Sequence, residues 1–405
     1  MTAFFTLALS LAQAADDEAA RSPTLSPYAA FVGGGAVEFV DRRQDDIDDR
    51  QGRFWTPALA RIGLLGRLSD EWSINSEVEF NAGPYGTSVW EGQAAIQVRN
   101  QFIRYQNTDV LGKGDQVVLE VGRVTDPASL NYFSFSVANL LLSDLLTREP
   151  LLISGFNRGN GVRVEYTIAD KLTAGFTLNA GNPTSTTATL AVGGTFPPFS
   201  RFYQIPWSNV GRDARGFPTS SFNTIVATPS LRLNTDVVDA QVAVQLFSVN
   251  TNTSLTTDDN LTGRNLRAGI RLKAPENRFQ LFGNVSQMFN DVVELTDLAV
   301  VSEEEAYLGS VVSGGFDVRV GKRNLIGAQY DWVREEERGV AARHNHFVNA
   351  GIVIGLSDHV AMSGRFALWQ VCQEQELLEN CDVNGLRQGF LTLSALLGAG
   401  QLAQP

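Results

Sequence analysis

Apolar and polar residues alternate along most of this chain, and short polar turns interrupt the alternation at intervals. The phrase reads GRLSDEWSIN at 66–75, EYTIADKLTAG at 165–175, RLNTDVVDAQV at 232–242, RLKAPENRFQL at 271–281, RVGKRNLIGAQ at 319–329 and VIGLSDHVAMSG at 353–364. A period of two sends successive side chains to opposite faces of an extended strand. Each phrase therefore predicts two antiparallel strands joined by a tight turn. Elsewhere the strands are separated by longer polar segments, which are expected to be loops. Short turns at one end and long loops at the other are the pattern of a transmembrane antiparallel β-barrel. The alternation predicts about sixteen strands, near 28–41, 55–68, 72–81, 95–106, 116–123, 160–168, 171–180, 223–233, 237–248, 264–273, 278–289, 307–320, 324–333, 344–355, 359–371 and 386–397. An even number suits a closed wall with both chain ends on one side. Closure is required because lipid offers no partner to an open strand edge.

The same alternation assigns faces. In the second strand Ala58, Ala60, Ile62, Leu64 and Leu68 oppose Arg61, Gly63 and Arg67, and in the third Trp72, Ile74, Val78 and Phe80 oppose Asn75, Glu77 and Glu79. Later strands set Val162, Val164 and Tyr166 against Arg163 and Glu165, and Leu266, Ile270 and Leu272 against Arg267 and Arg271. An arginine facing lipid at mid-membrane costs about 2–4 kcal/mol. Inverting strands that carry about eight of them would cost roughly 16–32 kcal/mol, more than the typical domain stability of about 5–15 kcal/mol. The charged face is thus expected to line a lumen, as a ladder of Arg61, Arg67, Glu77, Glu79, Glu120, Arg163, Glu165, Arg267, Arg271, Arg319, Arg365 and Arg387. Trp72, Tyr166, Tyr330, Trp332 and Trp369 near strand ends suit a membrane–water interface.

Composition fits. The 405 residues are 43% hydrophobic and include 37 glycines, yet the mean hydropathy is only −0.07, as expected where every second strand residue is polar. A membrane-crossing helix needs about 20 consecutive apolar residues, and no such run occurs beyond residue 20. The opening MTAFFTLALSLAQAADDEAA has an apolar stretch from Phe4 to Leu11 and small residues at Ala12 and Ala14. This predicts a secretory signal over 1–14, followed by a polar linker at 15–27, a barrel over 28–397 and a tail at 398–405. The net charge of −12 is concentrated in DRRQDDIDDR (41–50), SEEEA (302–306), REEER (334–338) and EQELLEN (374–380), all expected on solvated loops. An acidic chain without a basic, aromatic-studded patch excludes nucleic acid as a partner. Cys372 and Cys381 lie nine positions apart in a polar stretch of an exported chain, which predicts a disulfide closing a surface loop. Their spacing matches no zinc motif, so no metal or cofactor is expected.

Residues 124–159 form an insertion, VTDPASLNYFSFSVANLLLSDLLTREPLLISGFNRG. A sixteen-stranded barrel is too wide to discriminate by itself, and a segment of this length is expected to fold inward as a constriction. A short helix over 136–147 is predicted within it, capped by Ser136. Arg123, Asp126, Asp144, Arg148, Glu149 and Arg158 stand around the insertion as candidate constriction charges. Here the chain resembles the phosphate-selective porin (O and P type) family, through FIRYQ at 102–106, LEVGRVTDPASL at 119–130 and GFNRGNGVRVEYTI at 155–168. Gly122, Arg123, Pro127 and Ser129 match the family's strand end and loop start, and Arg158 and Gly161 match the opening of its next strand. The resemblance covers residues 55–182 and implies an outer-membrane channel, a homotrimer, and basic residues along the solute path. The chain departs from the family in having only Lys113, Lys171, Lys273 and Lys322 as lysines, so arginines must carry the positive charge. Its last strand also lacks a terminal aromatic.

The functional expectation is an outer-membrane porin, embedded among bilayer lipid and lipopolysaccharide, that passes small inorganic ions or hydrophilic solutes. Because arginine stays charged at every relevant pH, a weak anion preference is expected. The alternatives are a plugged structural or adhesin barrel and an outer-membrane hydrolase. A hydrolase would need its nucleophile, base and orienting acid within hydrogen-bond reach, and the chain offers only His344, His346 and His359 as histidine bases.

Overall fold

The computed structural model describes residues 23–44, 47–55, 58–82, 95–112, 114–125, 158–180, 224–250, 260–296, 299–321, 324–337, 340–357, 359–375 and 378–398. Its strands are β1 (Thr24–Gln44), β2 (Ile47–Trp55), β3 (Ala58–Arg67), β4 (Trp72–Ala82), β5 (Ala95–Thr108), β6 (Gln116–Thr125), β7 (Arg158–Ile168), β8 (Leu172–Ala180), β9 (Thr224–Asn234), β10 (Val238–Asn250), β11 (Asn260–Lys273), β12 (Phe279–Thr296), β13 (Ala299–Val320), β14 (Asn324–Glu337), β15 (Val340–Gly355), β16 (Val360–Gln375) and β17 (Leu378–Gly398). All pair antiparallel with their neighbours in sequence except β2 and β3, which both pair with β1, and β1 pairs with β17 from Tyr28↔Gly398 to Arg42↔Asn384. On its other edge β1 meets β3 over Thr24–Gly33 and β2 over Ala36–Gln44. β2 and β3 thus share one place in the wall, separated by the sequence Thr56-Pro57, where proline has no N–H for a ladder. Among the described residues, seventeen strands therefore occupy sixteen positions in a ring, and every position has a partner on both sides.

The ring is polar inside and apolar outside. Gln245, Asn265, Thr177, Glu120 and Arg267 are buried, while Leu231, Val242, Leu266, Ile270, Phe176 and Val285 are exposed. On β8 the two classes alternate residue by residue. The outward columns also share a height. Counted from the short-turn end, the apolar run Leu272, Ile270, Ala268, Leu266 ends at Arg264, and Ile326, Ala328, Tyr330, Trp332 ends at Arg334. The columns of β7 and β12 end in the same way at Asn160 and Gln287, both exposed. At about 3.3 Å per residue and a tilt near 40°, such a column climbs roughly 20 Å, close to the apolar band of about 25 Å on outer-membrane barrels.

Local chemistry explains the turns. Ser69-Asp70-Glu71-Trp72, Thr235-Asp236-Val237-Val238 and Ser357-Asp358-His359-Val360 repeat one device. The hydroxyl accepts the backbone N–H three residues on, at 3.1, 2.9 and 3.0 Å. Serine and threonine favour such turns because the side chain replaces a backbone partner. In the three-residue β7–β8 turn, Ala169 and Asp170 both adopt positive φ, 51° and 54°, the left-handed conformation that tight hairpins use.

Several expectations need correction. The described residues of the acidic runs at 41–50, 302–306 and 334–338 belong to strands rather than loops, for the β1–β2, β12–β13 and β14–β15 pairings extend to Gln44↔Ile47, Thr296↔Ala299 and Glu337↔Val340. β13 has 22 residues, a climb of roughly 55 Å at that tilt, so about half of it stands beyond the apolar band. The stretch around the cysteines is likewise strand, with Gln375 paired to Leu378. The segment read as a linker ends early, since β1 begins at Thr24.

Ile270, 46% exposed, lies within the outward column of β11. Replacing it with arginine is expected to lower unfolding stability in lipid vesicles by about 2–4 kcal/mol, measured by denaturant titration. An unchanged midpoint would place that face in water.

Candidate functional site

The inward wall gathers charge in two arcs. In the first, register alone sets Arg104 of β5 opposite Glu120 of β6, and Glu120 opposite Arg163 of β7. Arg104 donates Nε and Nη2 to Glu120 Oε1 at 2.8 and 2.5 Å. Arg163 donates Nη1 to Glu120 Oε2 at 3.5 Å and Nη2 to Glu165 Oε1 at 2.5 Å. Glu120, 1% exposed, thus sits between two guanidinium groups. Such a carboxylate is tolerable only because both its oxygens are satisfied by charge-assisted bonds.

Beside this arc, the Tyr28 hydroxyl donates to Glu77 Oε2 at 2.6 Å. The Tyr28 ring lies over Gly63, its cross-strand partner, where a Cβ would come within 2.2 Å of the ring. At the short-turn end, the Tyr166 hydroxyl donates to Asp115 Oδ2 at 2.6 Å, and Asp115 Oδ1 accepts the Leu111 N–H at 3.0 Å, which ties down the β5–β6 turn.

The second arc lies on β9–β13. Arg232 grips Asp239 with two bonds of 2.8 and 2.7 Å. Asp239 pairs in register with Arg271, whose charge also interacts with Asp317. Farther from the short turns amide and hydroxyl groups join the charged ones in the wall's hydrogen bonds. Arg267 Nη2 donates to the Gln245 amide oxygen at 3.1 Å, and the Ser286 hydroxyl donates to Asn265 Oδ1 at 2.7 Å. On β14, Gln329 Nε2 donates to Asp331 Oδ1 at 2.6 Å.

The structure places the expected ladder unevenly. Glu77, Glu120, Arg163, Glu165, Arg267 and Arg271 are on the inward face, and Arg319 shares the row of Asp317 near the β13–β14 turn. Arg67 departs from the ladder: it is exposed at the end of β3 and forms an ion pair with Asp70 of the adjoining turn. Register pairs Arg387 with Leu368; its side chain lies outside the described ones. Arg61 and Glu79 are direct cross-strand partners, and Arg365 pairs with Gly351; the side chains of these three residues lie outside the described ones. Alternation sets Asp239 and Asp317 on the charged face; sequence reasoning missed Arg104 and Arg232.

Of the constriction candidates, Arg123 is half-buried at the end of β6 and Arg158 opens β7. Asp126, Asp144, Arg148, Glu149 and the helix expected over 136–147 lie outside the described residues. At the base of this insertion Gly122 and Gly161 face one another in register. Gly122 has φ 134°, and a Cβ there would meet the Gln101 carbonyl oxygen at 2.2 Å, so only glycine fits.

Cys372 and Cys381 lie on the neighbouring strands β16 and β17, beside a register shift at Val371/Gln373; their side chains are also outside the described residues. The histidines form no nucleophile–base–acid set among the described residues. The His346 Nδ1 and Tyr330 hydroxyl are 2.7 Å apart, the His344 ring lies tilted against Trp332, and His359 is exposed at a turn. Among the described residues no group of histidines, cysteines and carboxylates could hold a metal ion.

Replacing Glu120 with glutamine leaves Arg104 and Arg163 facing a neutral amide. The expected result is a stability loss of about 3 kcal/mol, read by denaturant unfolding, because breaking a buried pair strands its partners.

No family model matches the chain, and no curated protein matches it. Solved structures do. A trimer form of OmpT, an outer membrane protein of Vibrio cholerae, aligns with a TM-score of 0.53 and 10% identity over 93% of this chain and 100% of that one. An anion-selective porin from Comamonas acidovorans aligns at TM-score 0.55 and 11% identity, covering 93% and 100%. The outer membrane channel DcaP of Acinetobacter baumannii aligns at TM-score 0.55 and 11% identity, covering 93% and 98%. At such identities the likeness establishes the fold. A closed ring with apolar residues outward, in the fold of these proteins, makes the chain an outer-membrane β-barrel.

Proposed function

We propose that the chain is a porin through which small hydrophilic solutes and ions diffuse passively, with a weak preference for anions. The observation that carries this reading is the polarity of the ring: guanidinium, carboxylate and amide groups face inward on strand after strand. Rings of charge on a pore wall set ion preference. Here arginines and acids interleave, as in Arg104–Glu120–Arg163 and Arg232–Asp239, so the preference is weak. Arginine holds its charge at every relevant pH, which tips the balance toward anions. That one structural neighbour is named an anion-selective porin agrees with this reading.

The finer kinship proposed is with phosphate-selective porins of the O and P type. It rests on the motifs around the insertion and on the Gly122–Gly161 pair at its base. A homotrimer is proposed with it, and one neighbour is described in a trimer form. A disulfide between Cys372 and Cys381 is proposed because the register sets them on adjacent strands.

A plugged barrel is the second reading, favoured by the near-complete burial of inward groups such as Asn265 (0% exposed). Planar-bilayer recordings under a potassium chloride gradient separate the readings. The expected result is steady conductance with a reversal potential of the sign that marks chloride as the more permeant ion. A clear cation preference would overturn the anion assignment, and absence of conductance would establish the plug.

A further inference from the structure

The arc Arg104–Glu120–Arg163–Glu165 has a buried middle and two accessible ends. Glu120 and Arg163 are buried, whereas the side chain of Arg104 is 35% exposed and that of Glu165 17%. Toward the short turns, Thr167, Thr173 and Ser230 are half-buried on the same inward face. Farther from the short turns, Thr177, Asn179 and Val226 are buried. The accessible part of this inward wall is thus the part next to the short-turn mouth, and the arc stands at its inner limit.

Both ends keep bonding capacity. Arg104 directs Nε and Nη2 at Glu120 Oε1, and its guanidinium lies 5.4 Å from the centroid of the Phe102 ring. A guanidinium has five donors, and among the described residues Nη1 of Arg104 meets no acceptor. Glu165 accepts Arg163 Nη2 on Oε1, and among the described residues its Oε2 accepts no bond.

The two ends carry opposite charges at a set separation. They lie two strands apart across the wall and two residues apart along it, roughly 12 Å between Cα atoms. Both side chains lean into the Glu120–Arg163 pair, so the charges themselves stand closer. A peptide of two or three residues spans about 7–11 Å, with an ammonium at one end and a carboxylate at the other. A simple ion meets interleaved charges that largely cancel, while a molecule bearing both signs satisfies both ends at once.

We propose that this arc is a transit site for zwitterionic solutes, with the carboxylate of a short peptide on Arg104 and its ammonium on Glu165. The proposal rests on the porin reading and names a solute class for that pore. Solvent-exposed ion contacts are weak, which suits a site that solutes must leave as readily as they enter.

The test uses the full-length protein and three solutes of similar size: glycylglycine, a zwitterion; N-acetylglycinamide, uncharged; and N-acetylglycinate, an anion. In liposome swelling the wild type is expected to admit glycylglycine about threefold faster than N-acetylglycinamide, a modest ratio because exposed contacts are weak. R104Q and E165Q are each expected to bring that ratio to about one. Across a planar bilayer with a potassium N-acetylglycinate gradient, the reversal potential is expected to shift toward potassium in R104Q and toward the anion in E165Q. A loss of packing alone would not give opposite signs. Equal entry of glycylglycine and N-acetylglycinamide into wild-type liposomes would overturn the proposal and leave the porin reading standing. Exclusion of both would overturn the two together. A ratio that survives in both variants would also overturn the proposal. Heat-modifiable migration verifies folding, and should a variant fail to fold, the wild-type ratio decides alone.

Discussion

The hydrocarbon of a bilayer cannot hydrogen-bond a peptide group, and the rest of the architecture depends on that constraint. Every backbone N–H and C=O at membrane depth must find its partner within the protein. A sheet achieves this only by closing, and here closure is made by β1, whose outer edge meets β17 over fifteen residue pairs. Once the sheet is a ring with lipid outside, its two faces are no longer equivalent. Apolar side chains must occupy the outer face for the height of the bilayer, and the inner face becomes the place where charge can reside.

Charge in that interior is not free of cost. Glu120 and Asp239 are nearly withdrawn from solvent, and each is held by arginines from neighbouring strands. Register makes those pairs: a one-residue slip would carry Arg163 to the lipid side and leave Glu120 without one of its partners. The wall's electrostatics and its strand alignment therefore support one another. The same close packing accounts for the glycines. Gly63 makes room for the Tyr28 ring, and Gly122 lets β6 approach Gln101 where the long insertion departs.

Much of this was legible in the chain. Period-two alternation placed strand boundaries such as 72–81, 116–123 and 324–333 at or within a few residues of Trp72–Ala82, Gln116–Thr125 and Asn324–Glu337, because a lipid-facing row tolerates almost no polar residue. The repeated Ser/Thr-Asp turns were visible too, since their hydroxyls act locally. Less legible was whatever lies beyond the bilayer. The acidic hairpins of β1–β2 and β14–β15 carry no lipid-imposed alternation, so their charge runs resembled loops. The pairing of Arg104 with Glu120 could not be read from spacing, as it depends on the register between strands.

The central claim is that outward and inward faces alternate across a lipid-spanning wall. The direct test is site-directed spin labelling along β11 in bilayers, in a background with Cys372 and Cys381 replaced by serine. Labels at 266, 268, 270 and 272 should be relaxed by oxygen, which partitions into lipid, and shielded from a water-soluble nickel reagent. Labels at 265, 267, 269 and 271 should be less accessible to oxygen, giving a period of two. A uniform profile, or one with the two sets exchanged, would contradict the account.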